Sequence, residues 1–189
     1  MNIQPYKKTK RIIIDPGEYY VSSNQEVIST LLGSCVAACL YDPVKGITGM
    51  NHFLLAERRH HTPYHMFNSE AGRYGVHAME LLIHSMVLRG AKKSHLKAKC
   101  FGGGDVLSIT ESAWGNRGIG DVNIDFIHEY LKSEKIPLIS SSLGGKHGRN
   151  IHFMGHDFSV FMKKINSGIE FQVQQEEKKY WEKVLQSMK

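Results

Sequence analysis

The 189-residue chain carries 24 Lys and Arg against 18 Asp and Glu, a formal charge of +6, with 41% hydrophobic and 22% charged residues. That length suits one domain with tails and a core that needs no staples, and the composition excludes wholesale disorder. No apolar run reaches the ~18–20 residues of a membrane-spanning helix, and the three cysteines, Cys35, Cys39 and Cys100, close no disulfide framework, so a reducing cytoplasm is expected.

Lys7, Lys8, Lys10 and Arg11 stand in an acid-free stretch and supply four of the six excess charges. The remaining 178 residues are therefore only +2, which is not the footprint of a phosphate-backbone binder. Nucleic acid is accordingly not expected as a partner. The opening MNIQPYKKTKR has no apolar stretch behind it and does not read as a secretory signal. A like-charge block of this kind predicts a solvated, flexible arm.

Short β-branched or apolar runs follow at 11–14, 18–22, 27–32, 36–41 and 47–55, separated by Gly, Pro, Asn and Asp turn signals. Residues 56–69 are polar, hold Pro63, and predict a surface loop. Apolar spacings of three and four then predict a helix over 70–89, with Ser69 as N-cap and Gly90 as stop. A strand over 96–101 leads into Gly102, Gly103 and Gly104. A second helix is expected over 121–133 and a strand over 138–142. After a glycine turn at 144–149, a closing hairpin is expected over 151–162. The charged segment 171–188 fits an amphipathic helix. The class is α+β: a layered sandwich of mixed β-sheets with two main helices.

The chemically informative stretch is Ser29-Thr30-Leu31-Leu32-Gly33-Ser34-Cys35, followed by Asn51-His52. Cys35 opens an apolar strand after a Gly-Ser turn, whose backbone N–H groups suit an oxyanion. His52 lies in the next strand region, where an antiparallel neighbour brings imidazole and thiol together. A thiol with pKa near ~8.5 needs such a base to act as a nucleophile at neutral pH. Cys39 and Cys100 lie in apolar strands and read as core. His60, His61 and His65 form an HHxxxH cluster on the predicted loop; without a rigid element to aim them, a solvated loop and no metal are expected.

LLGSCVAACLYDP, GMNHFLL, RYGVHAMELLIHSMVLRGA, LKAKCFGGG, IGDVN and LGGKHGR resemble, in the same order, the pattern of the CheD family. These are chemoreceptor glutamine deamidases of bacterial and archaeal chemotaxis. The resemblance runs over about residues 18–162. It implies a cysteine-hydrolase-like fold and a protein-glutamine glutaminase, with Cys35 as nucleophile and His52 as base. The third, hydroxyl member of the implied triad falls on Ser29, with Thr30 as the alternative. Ser34 and Cys35 are the expected oxyanion donors. Gly33, Asn51 and Arg149 are candidates for substrate-facing or structural roles. The family's Arg before Asn is missing from Gly120-Asp121-Val122-Asn123.

The implied domains are a basic arm over 1–16, a deamidase domain over 17–163 and a charged helical tail over 164–189. No cofactor and no membrane insertion are expected. The implied partners are methyl-accepting chemoreceptors, presenting a cytoplasmic helical bundle, and a CheC-type phosphatase. Hydrolysis of receptor glutamate methyl esters is a second activity the family is credited with. The rival reading is a regulatory module that binds the phosphatase with little catalysis.

Overall fold

Strand β5 (Val36–Asp42) is buried at every position, so its two faces must serve two different cores. A computed structural model, which describes residues 1–55, 67, 69–106, 118–165 and 167–187, shows what lies on each side. The other strands are β1 (Asn2–Tyr6), β2 (Thr9–Ile13), β3 (Tyr19–Ser22), β4 (Val27–Leu32), β6 (Ile47–Asn51), β7 (Lys97–Gly102), β8 (Leu138–Leu143), β9 (Arg149–Met154) and β10 (Val160–Lys164). The helices are α1 (Glu70–Leu88), α2 (Ile119–Ser133) and α3 (Ser167–Ser187).

Two five-stranded sheets result, ordered β1-β2-β4-β9-β10 and β3-β6-β5-β7-β8. Both are mixed, because β2 runs parallel to β4 and β7 parallel to β8. On one face of β5, Ala37, Cys39 and Tyr41 meet Ile12, Ile28, Leu32, Ile151 and Phe153 of the first sheet. On the other, Val36, Ala38 and Leu40 meet Met79, Leu82 and Met86 of α1 and Phe126 and Ile127 of α2. The layers are therefore sheet, sheet, helices, as the α+β reading expects.

Local signals set the helix ends. Ser69 accepts a hydrogen bond from the Gly72 N–H at 3.0 Å, the N-cap expected for α1. Helix α2 begins two residues before its apolar pattern, and the Asp121 carboxylate, inside the first turn, accepts from the Gly118 N–H at 3.1 Å. Among the described residues no helix is long and apolar enough to cross a membrane. His60, His61 and His65 lie outside the described residues.

The expected flexible arm is not what the structure shows. Residues 2–13 form the β1–β2 hairpin, and β2 adds to β4 with Ile12 opposite Ile28. The basic residues decorate this hairpin, while Ile12 and Ile14 bury completely between the sheets. Charge density alone hid that alternation. Ile12→Ala is expected to cost about 2–5 kcal/mol, the usual loss for a fully buried large aliphatic, readable as a lowered midpoint in thermal or urea unfolding. An unchanged midpoint would return the segment to the status of an arm.

Candidate active site

Register brings the thiol and imidazole together. Strands β5 and β6 are antiparallel, with Cys39 opposite Met50, and the pairing continues to an isolated bridge between Val36 and Phe53. This places His52 opposite Ala37, hence diagonal to Cys35 on the face between the sheets. Backbone bonds fix both: Val36 and Phe53 exchange N–H···O bonds at 3.0 and 2.9 Å, and the His52 N–H donates to the Glu18 carbonyl at 2.9 Å. Both side chains are buried.

The hydroxyl on His52 belongs to Thr30, not Ser29. Thr30 Oγ1 lies 2.8 Å from His52 Nδ1, whereas Ser29 Oγ lies 2.8 Å from His152 Nδ1 and accepts from Arg11 Nε at 3.1 Å. Alternation along β4 sends Thr30 inward between the sheets and Ser29 to the outer face. The Ser29 assignment is corrected accordingly. Thr30 donates its one proton to the Ile14 carbonyl at 2.7 Å. Its oxygen must then accept from His52 Nδ1–H, which leaves Nε2 without a proton. Among the described residues His52 Nε2 has no hydrogen-bond partner, which leaves that nitrogen available for proton exchange.

The Gly33–Cys35 turn forms the anion pocket. Its N–H groups, including the expected donors Ser34 and Cys35, converge on the carboxylate of Glu177 from α3. Gly33 and Cys35 donate to Oε1 at 2.7 and 3.1 Å; Ser34 N–H and Oγ donate to Oε2 at 2.8 and 2.7 Å. Gly33 leaves room for the carboxylate, since a Cβ at this position would stand 2.8 Å from Glu177 Oε2 and 2.6 Å from Val106. Neighbouring turns brace the pocket: Gly103 and Gly104 N–H groups donate to the Cys35 and Gly33 carbonyls at 2.7 and 2.8 Å. Gly102 takes φ of +114°, and a Cβ on it would lie 2.1 Å from the Cys35 carbonyl oxygen.

Burial dominates the electrostatics. The Cys35 thiol is pushed well up from its ordinary value, first by desolvation and then by the charge of Glu177 and a hydrogen bond to it. Burial pulls the His52 imidazole down from 6.5 to about 3. Thiol and imidazole are therefore both neutral with Glu177 in place.

Cys35, His52 and Glu177 offer donor atoms within 4.8 Å of one another, the one such cluster among the described residues. The three residue types are ones that bind transition metals, but the carboxylate is already engaged. Glu177 already accepts four hydrogen bonds, which uses the roughly four lone-pair sites of a carboxylate.

Asn51 and Arg149 both make hydrogen bonds that brace the fold around the site. Asn51 Oδ1 accepts from the Ala38 N–H at 3.1 Å and its Nδ2 donates to the Ala78 carbonyl at 3.3 Å, tying the second sheet to α1. Arg149 donates to the Ser142 hydroxyl at 3.2 Å and the His147 and Gly144 carbonyls at 3.0 and 2.5 Å, holding the glycine turn. Sequence reasoning missed Asn123, fully buried, which donates to the Ser34 carbonyl at 2.9 Å and accepts from the Leu55 N–H at 2.8 Å. Its presence in IGDVN was the only signal available. Glu177 was missed altogether.

Comparison with known proteins bears on this site. The model of the family described as CheD chemotactic sensory transduction matches residues 54–164. A probable chemoreceptor glutamine deamidase CheD 2 of Shewanella oneidensis is 49% identical over 174 residues, covering 90% of this chain and 85% of its own. A probable chemoreceptor glutamine deamidase CheD 1 of Geobacter sulfurreducens is 47% identical, covering 93% and 88%. The chain belongs to the CheD family. The matched CheD residues begin after His52, so the roles of Thr30, Cys35 and His52 rest on geometry. A solved structure, the Bacillus licheniformis hypothetical protein YfiH, is similar at TM-score 0.38 and 14% identity over 66% of this chain and 49% of its own, too slight a likeness to argue from.

Proposed function

We propose that the chain is a chemoreceptor glutamine deamidase, converting receptor glutamine side chains to glutamate through a Cys35 thioester. One observation supports this above the others: a buried thiol beside an imidazole, with a backbone pocket next to it that holds a glutamate side chain, the reaction's product group. His52 Nε2 takes the thiol proton, and the thiolate attacks the amide carbon. The resulting oxyanion accepts from the Gly33, Ser34 and Cys35 N–H groups. Protonated His52 returns its proton to the leaving nitrogen, the C–N bond breaks and ammonia departs. Water, deprotonated by neutral His52, then cleaves the thioester, releasing glutamate and the free thiol. A glutamate methyl ester would pass through the same thioester with methanol as leaving group.

The test is mass spectrometry of receptor cytoplasmic fragments incubated with the protein. Each glutamine converted gains about one mass unit, the difference between an amide and an acid. Fragments that stay unmodified over hours with folded protein would sink the deamidase reading in favour of the binding module.

A further inference from the structure

A carboxylate in the reaction pocket of an amidohydrolase needs its own account. Glu177 is fully buried on α3, in a stripe with Val173 and Val184. Among the described residues no cation accompanies it; its partners there are three backbone N–H groups and one hydroxyl. The turn needs an acceptor, because an apolar side chain there would leave four buried donors unpaired. The carboxylate also fits the chemistry of the pocket. It is the side chain that deamidation makes, set on the donors that would receive the oxyanion, within 4.8 Å of the Cys35 and His52 donor atoms.

The path of α3 points the same way. Glu170 accepts from the Gly148 N–H at 3.1 Å, Gln174 donates to the Val106 carbonyl, and Tyr180 is hydrogen-bonded to Tyr74 of α1. Contacts three and four residues apart thus lay one face of the helix across the mouth of the site. Among its described side chains only Val173, Glu177 and Val184 are buried, and Tyr180 and Trp181 pack half-buried against the inter-sheet core, so departure of the helix would uncover one edge of that core and leave the core beneath α1 and α2 intact. Gly33 adds a further sign, since the space where its Cβ would project is filled by Glu177 and Val106.

We propose that α3 holds in cis the seat of a substrate helix: Glu177 fills the subsite for the side-chain amide, and a glutamine presented on a receptor helix must displace it. The receptor helix that presents the glutamine would then lie along the path of α3. In the closed form burial first, and the Glu177 charge second, oppose formation of the Cys35 thiolate. This inference deepens the deamidase reading and rests on it, except for the claim that α3 covers the thiol.

Two full-length variants test it. With Glu177→Ala, alkylation of Cys35 by iodoacetamide at neutral pH is expected to rise about tenfold, with its onset moved to lower pH, since a negative charge beside the thiol is gone. Deamidation of a receptor fragment is expected to rise about tenfold in kcat/KM, mainly through KM, because the occupant competing in cis is lost. Glu177→Gln keeps the shape and places an amide on the nucleophile. Cys35 attack there expels ammonia, water cleaves the thioester, and the peptide containing position 177 gains about one mass unit at a rate independent of protein concentration. Cys35→Ala in the same background should block that gain. Equal alkylation of the wild type and Glu177→Ala would overturn the cover. An amide at 177 that persists while the same preparation deamidates receptor would overturn the shared subsite. Faster alkylation with neither amide converted would uphold the cover and sink the deamidase reading alone.

Discussion

Cys35→Ala is expected to reduce receptor deamidation to the uncatalysed rate, a loss of roughly four orders of magnitude or more. The reason is structural: among the described residues, Cys35 is the one thiol at the pocket where the Gly33, Ser34 and Cys35 N–H groups converge, and it is grouped there with His52. The other two cysteines supply the control. Cys39 shares the inter-sheet face but lies within β5, opposite Met50, and Cys100 lies in the core under the helices. Burial pushes both thiols up, Cys100 to about 12, as it does Cys35; what sets Cys35 apart is the His52 imidazole and the donor turn beside it. Cys39→Ala and Cys100→Ala should therefore lower the unfolding midpoint and keep turnover. The measurement is glutamate formed per enzyme by mass spectrometry, with circular dichroism to show that Cys35→Ala remains folded. Turnover above a hundredth of wild type in Cys35→Ala would remove the thioester from the mechanism.

The contrast among three cysteines of equal burial explains how much was legible beforehand. Period-two runs around Cys35 and His52, with Asp42-Pro43 and Lys45-Gly46 between them, announce a hairpin, and a hairpin fixes which residues meet across it. The diagonal pair was therefore readable from one stretch of chain. The third member was not. Alternation says that Ser29 and Thr30 face opposite ways, but β4 and β6 belong to different sheets. Only the packing of one sheet on the other decides which hydroxyl reaches His52. Matching by distance from Cys35 picked Ser29, which points at His152 instead. The basic hairpin failed for a related reason: the buried Ile12 and Ile14 flank Ile13 at the end of a run of basic residues, and the charges were weighed without the period. Glu177 lay furthest from reach. A glutamate in QQEEKKYWEK looks like a solvated helix face, and its partners are 142 to 144 residues away.

Thr30→Ala is expected to lower kcat about a hundredfold while changing KM little, because the residue touches no substrate and acts through His52. Removing the hydroxyl strips His52 Nδ1–H of its acceptor in a fully buried site and leaves the Ile14 carbonyl without that donor. The ring is then free to turn or to change tautomer, and either change takes the lone pair on Nε2 away from the thiol. Thr30→Ser, which keeps the oxygen, should restore most of the rate even where it loses some stability with the methyl group. That rescue separates a positioning role from simple packing, as does the imidazole tautomer read by nitrogen NMR, expected to shift in Thr30→Ala and not in Thr30→Ser. Ser29→Ala serves as the opposing arm. It removes a bridge between Arg11 and His152 on the outer face, so it should cost about 1 kcal/mol of stability and leave kcat within about threefold of wild type. If Ser29→Ala silenced the enzyme and Thr30→Ala did not, the pairing of Thr30 with His52 would be scaffolding, and the base would take its orientation from elsewhere.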